Sequence, residues 1–270
     1  MSLWLCRQEQ VKRPYYMEAL RVHLYSSQEL SYVIFNHPLL VMDDFVNEEL
    51  LAFLRDELNM GFLALKLERW LKSAENPDET LVLILQECDY YSAADITRYR
   101  QLLQSLRKKH PAEYGKMKAD ELFSLRRYEK AAGMYRQLLL SPRDDYVNEA
   151  FLGRLWNNFG SCCARMGRME QALAAYEKAW ELAKSPRMLE QMYELTRLDE
   201  RLKLSAPIAA MINDEQREGW DAAIEKAKQE ASGSAAVLQI DELFARDPIR
   251  RQQGAARLLQ QWKQEYRSMA

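Results

Sequence analysis

Residues 153–186 constrain the fold more than any other part of this chain. In GRLWNNFGSCCARMGRMEQALAAYEKAWELAKSP, small and large side chains recur at intervals that only helices align. At 3.6 residues per turn, Trp156, Phe159, Gly160 and Cys163 fall on one face of a first helix. Ala172, Tyr176 and Ala179 fall on one face of a second. Gly167 and Arg168 make the turn between them, glycine being the residue that enters the left-handed region without strain. Small residues facing aromatic ones describe two helices in close antiparallel contact. A hairpin of this size needs neighbours on both flanks to close its core.

Weaker copies of the pattern flank it. RRYEKAAGMYRQLL (126–139) aligns with GRMEQALAAYEKAW (167–180), setting Ala131 over Ala172 and Tyr135 over Tyr176. Ala119 then stands where Gly160 does, while Gly115 replaces Trp156 and Arg126 replaces the turn glycine. This earlier unit covers 112–145, and its offset leaves extra chain around Asp144 to Leu152. A third unit over 187–220 is degenerate. Glu194 falls at the glycine position and Ala210 at the aromatic one, and Pro207 follows Ala206, the first alanine position. Terminal units of repeat arrays commonly decay in this way.

The order aromatic-x-x-large-Gly, Gly at the turn, then Ala-x-x-x-aromatic-x-x-Ala resembles the tetratricopeptide repeat. The resemblance implies an all-α fold, a right-handed superhelix of helix hairpins, in which first helices line a groove for a peptide. It implies groove-facing roles for Lys116, Asp120 and Phe123 in the earlier unit, and for Arg154, Asn157, Asn158 and Ser161 in the better one. Some members of that family clamp a C-terminal carboxylate with Lys and Asn, and Lys116 and Asn158 match two such positions. Asp120 replaces a further Asn and would repel a carboxylate, which weighs against an acidic-tail clamp. Asn157-Asn158 stands out because Asn is a modest helix former, so a mid-helix pair points to hydrogen bonding with ligand or backbone. Trp156, Tyr135 and Tyr176 read as core.

The flanks follow other rules. Leu20, Val22 and Leu24 alternate with polar residues, the signature of a short extended segment, and Pro14 with Tyr15-Tyr16 suggests a docked arm. From Ser26 to residue 110 the chain reads as four or five helices. Caps are expected at Ser26 or Ser27, at Asn47, at Asn76-Pro77 and at Ser92 with Asp95. Arg107-Lys108-Lys109 suits a helix C-terminus. Residues 1–110 thus form a non-repeat portion, 111–220 the repeats, and 221–270 a C-terminal cap. In the last part, Trp220, Ile224, Ala227 and Ala231, then Ala255, Leu259, Trp262, Tyr266 and Met269, trace narrow helical seams. A homo-oligomeric arm is the alternative to a cap.

Composition excludes several classes of function. A formal net charge of −2 gives no global attraction to nucleic acid or anionic membrane. Residues 246–267 are locally basic through Arg246, Arg250, Arg251, Arg257, Lys263 and Arg267, but Trp262 and Tyr266 beside them are expected to be buried. The first residues lack a secretory apolar run, and no apolar run is long enough for a membrane span, so a cytoplasmic location is expected. Cys6 and Cys88 are isolated and Cys162-Cys163 are adjacent, so no metal-ligand spacing arises. His23, His37 and His110 are scattered. No Gly-x-Gly phosphate loop or Gly-x-Ser-x-Gly elbow occurs, and Asp43-Asp44 and Asp144-Asp145 read as loop or cap residues. No catalytic residue, cofactor or metal is expected. The expected function is non-catalytic binding of a protein or peptide, as an adaptor or assembly factor. A peptide-sensing regulator with a basic, nucleic-acid-contacting C-terminus is the rival, and an enzyme site within 1–110 a third possibility.

Overall fold

The computed structural model describes residues 11–73, 76–245 and 247–269. The chain divides into two compact units, Met1–Glu121 and Leu122–Ala270.

The first unit opens with an antiparallel hairpin of β1 (Tyr15–Met17) and β2 (Val22–Leu24), with Tyr15 opposite Leu24. The expected alternation drives Tyr15, Met17 and Leu24 into the core. Tyr15 packs there against the rings of Phe45 and Phe53, at 5.8 and 5.9 Å. Helix α1 (Ser27–Asn36) is capped by Ser26, whose Oγ accepts from the Glu29 amide, and α2 (Pro38–Val41) begins on the proline. Asn47 caps α3 (Glu48–Ala52), which continues as a π-helical turn, Phe53–Glu57, before α4 (Gly61–Lys72). Then come α5 (Asp78–Cys88), α6 (Ala93–Arg107) and α7 (Pro111–Ser124). Helix α6 starts on the expected capping box, with Ser92 and Asp95 bonding each other's backbone amides. Leu30, Ile34, Leu50, Leu54, Leu67, Ile84 and Leu85 are fully buried at the centre.

Arg107 does more than close α6. Its Nε and Nη2 donate to both carboxylate oxygens of Asp78, and Nη2 also donates to the Met42 carbonyl at 2.7 Å. Asp78 is 4% exposed, and that guanidinium fork is what balances its buried charge.

In the second unit, α8 (Tyr128–Leu139), α9 (Glu149–Arg165), α10 (Met169–Ala183) and α11 (Pro186–Leu198) each pack on the next, the helical-solenoid arrangement. The α9–α10 contact is the most extensive, and glycine makes it possible. A methyl group at Gly160 would lie 2.7 Å from Cδ1 and Cε1 of Tyr176, and one at Gly153 would lie 2.9 Å from Cβ of Ala183. Gly167 takes φ +72° in the connecting turn, and Arg126 takes φ +60° at the same place in the preceding hairpin. Ala131, Tyr135, Ala172, Tyr176 and Ala179 are buried as the repeat pattern requires. Trp156 departs from that expectation. It is half-buried, with the Lys178 ammonium 4.4 Å from its ring centre and Phe159 edge-on at 5.9 Å.

After α11 the pattern collapses. Pro207 sits in the four-residue α12 (Ala206–Ala209), followed by α13 (Asp214–Ser232), α14 (Ala235–Phe244) and α15 (Pro248–Met269). Helix α13 buries no residue, while Leu243 of α14 and Leu258 of α15 are buried near Gly254. The expected burial of Trp262 and Tyr266 is corrected: they are 40% and 49% exposed. Ten residues of α14 span about 15 Å, too short to cover the 22-residue α15 along its length. Tyr266 instead adjoins the Arg168 guanidinium of the repeat, a group held above its ordinary pKa chiefly by Glu129 and in smaller part by Tyr266.

Candidate peptide-binding face

The groove-facing residues expected on α9 occupy one stripe at positions 154, 157, 158 and 161, as a helix dictates. Arg154 is exposed, its guanidinium 5.4 Å from the Phe151 ring centre. Asn158 Nδ2 donates to the Tyr135 hydroxyl on α8, at 3.4 Å. Ser161 Oγ donates to the Asn157 carbonyl at 3.0 Å and shares a 3.1 Å hydrogen bond with the Tyr176 hydroxyl on α10. Burial pushes the Tyr176 phenol above its ordinary pKa, opposed by the hydrogen bond it shares with Ser161. The polar stripe therefore ties the tyrosines of both neighbouring helices to α9. Asn157 is different: its Oδ1 is shielded from solvent and meets no donor. Arg154 and Asn157 are the two members of the stripe with hydrogen-bonding capacity to offer.

The other three residues belong to α7. Lys116 and Asp120, in the first unit, pair with each other at 2.6 Å across one helical turn. Phe123, at the start of the second unit, is half-buried and lies edge-on to Tyr128 at 5.2 Å. Their side chains thus have partners within their own unit.

Residues considered for chemistry have local partners as well. His37 Nδ1 lies 2.8 Å from Glu121, His110 Nδ1 accepts from the Ala112 amide, and His23 packs between Tyr16 and Tyr25. Asp43 pairs with Lys118, and Asp144 Oδ1 accepts from the amides of Tyr146 and Val147. Cys88, Cys162 and Cys163 are buried and form no disulfide with one another, and burial pushes the Cys163 thiol up. Cys6 and Arg246 lie outside the described residues. Among the described residues no three His, Cys, Asp or Glu side chains are grouped to hold a metal ion, and no helix is long and apolar enough to cross a membrane.

One feature escaped the sequence reading. Arg187, Glu190, Gln191 and Glu194 of α11 face Gln216 and Trp220 of α13 across a cleft. The signal was present as glutamate at the glycine position of the third unit, but its consequence depends on where α13 runs.

A family model described as tetratricopeptide repeat matches residues 153–186, the α9–α10 hairpin. The α9–α10 hairpin is thus a tetratricopeptide repeat, and the likeness to the family rests on that span. No curated protein and no solved structure matches the chain.

Proposed function

We propose that this protein is a non-catalytic adaptor or assembly factor that binds a protein or peptide along the α9 face of its repeat. The repeat family itself points to protein–protein interaction in general. The observation supporting the finer reading is the α9 stripe, where Arg154 is exposed beside an Asn157 oxygen that lacks a donor. An extended peptide backbone supplies amide donors suited to that oxygen, and the Arg154 guanidinium supplies donors for a carbonyl or carboxylate. The proposed location is cytoplasmic, and no cofactor or metal enters the proposal. Copurification from the native source with wild type and an Arg154→Ala/Asn157→Ala/Asn158→Ala variant tests it. Partner recovery is expected to fall by at least tenfold, and undiminished recovery by a folded variant sinks the assignment.

A second reading gains from a specific observation. Trp262 and Tyr266 are exposed on a helix that also carries Arg250, Arg251, Arg257, Lys263 and Arg267. Exposed aromatics among basic residues suit nucleic-acid contact, the regulatory alternative. Retention on DNA at low salt that weakens steeply as salt rises would favour it over the adaptor, and no retention removes it.

A further inference from the structure

The third helix pair departs from the repeat at the positions that hold the second one together. Thirty-four residues on from Trp156 and Gly160 stand Glu190 and Glu194. A side chain at the glycine position forbids the approach that Gly160 allows Tyr176. The chain after α11 supplies only the short α12 where α10 supplies fifteen residues. What remains is an open cleft of about 640 Å³ between α11 and α13, lined by Arg187, Glu190, Gln191, Glu194, Gln216 and Trp220.

The uncommitted groups in this cleft all lack the same thing. Glu190 and Glu194 are half-buried, one turn apart, and neither makes an ion pair or hydrogen bond among the described residues. Desolvation and the neighbouring Glu190 charge push the Glu194 carboxyl above its ordinary range, with Arg187 opposing. Gln191 Oε1 is shielded from solvent and has no donor. Trp220 forms the opposite wall, its half-buried indole 5.5 Å from the Tyr193 ring and tilted at 44° to it. Two carboxylates, an orphan amide oxygen and an aromatic wall call for a positively charged hydrogen-bond donor. Arg187 offsets one of the two carboxylates, so the remaining charge matches a single cation.

We propose that the α11–α13 cleft is the docking site for a lysine or arginine side chain of a partner polypeptide. The inference rests on the adaptor reading and names the chemistry of the partner. A cationic head entering the cleft would meet Glu190 and Glu194, donate to Gln191 Oε1 and lie against the Trp220 wall. The aliphatic stem would follow the apolar part of the indole.

Fluorescein-labelled hexalysine titrated into the full chain, read by anisotropy, tests the proposal. Glu190→Gln/Glu194→Gln keeps the side-chain shapes and is expected to weaken binding at least tenfold. Trp220→Leu, which leaves every charge in place, is expected to weaken it several-fold. Glu215→Gln/Glu218→Gln removes the same charge from exposed positions of α13 and is expected to change binding less than twofold. Equal loss in both double variants would mean bulk charge attraction and overturn the proposal, as would no loss in the cleft variants. Spermidine competing as well as unlabelled hexalysine would overturn the polypeptide assignment in favour of a small polyamine. Thermal melts confirm that each variant is folded. Asn157→Ala/Asn158→Ala is expected to keep hexalysine binding, so failure of the cleft and failure of the α9 face are separately visible.

Discussion

Two backbone positions show how single residues set this repeat. Gly160 touches the buried Tyr176 ring so closely that even a methyl group has no room, and that ring is held by its bond to Ser161. Gly160→Ala is therefore expected to destabilise the protein by about 1–3 kcal/mol, the range for overpacking a close contact. Arg126 holds the left-handed conformation that Gly167 adopts without cost in the next hairpin. Arg126→Gly is expected to stabilise the protein by roughly 0.5–1 kcal/mol, both changes being read from urea unfolding. A loss of stability at 126, or none at 160, would contradict this account. Both positions were legible before the fold, because glycine and its replacement align at fixed offsets. Trp156 was only half legible. Its spacing marks the packed face, but Lys178 reaching over the ring depends on where α10 ends its turns.

At the scale of elements, helix caps were read correctly because they act over three or four residues. Ser26, Asn47 and the Ser92–Asp95 box each cap through a neighbour in sequence. Contacts across elements were not readable. Arg107 belonged to a basic cluster that looked like a helix end, yet it reaches Asp78, 29 residues away, and the Met42 carbonyl, 65 away. Removing it would strand a carboxylate that is 4% exposed. Because the guanidinium itself is 40% exposed, the cost of Arg107→Met is placed at about 2–3 kcal/mol, below the ~3–5 kcal/mol for breaking a fully buried pair. Chemical unfolding measures it, and a change below about 0.5 kcal/mol would class the bridge with ordinary surface pairs. The seam on α15 failed for a related reason. Period alone placed Trp262 and Tyr266 on an apolar stripe, but burial needs a second helix long enough to cover it.

Across the whole molecule, stability should be distributed as burial is. Helices α9 and α10 hold fully buried Phe151, Leu155, Cys162, Ala172 and Ala179, whereas α13 holds no buried residue and α14 and α15 one described each. Backbone amides in α9 and α10 are accordingly expected to exchange at least a hundredfold more slowly than those of residues 214–267. Hydrogen exchange followed by mass spectrometry checks this, and uniform protection would show a cooperativity that these contacts do not explain. The sequence by itself determined the all-α class, the hairpin at residues 153–186 and most helix starts, since each is written in local periodicity, glycine placement and caps. It also marked the third unit as broken. Only the tertiary structure decided that the break opens a cleft, that Asn158 and Ser161 are tied to neighbouring tyrosines, and that the aromatics of α15 are exposed. Those outcomes depend on which surfaces distant helices cover, and no local pattern encodes the path of a chain after Pro207.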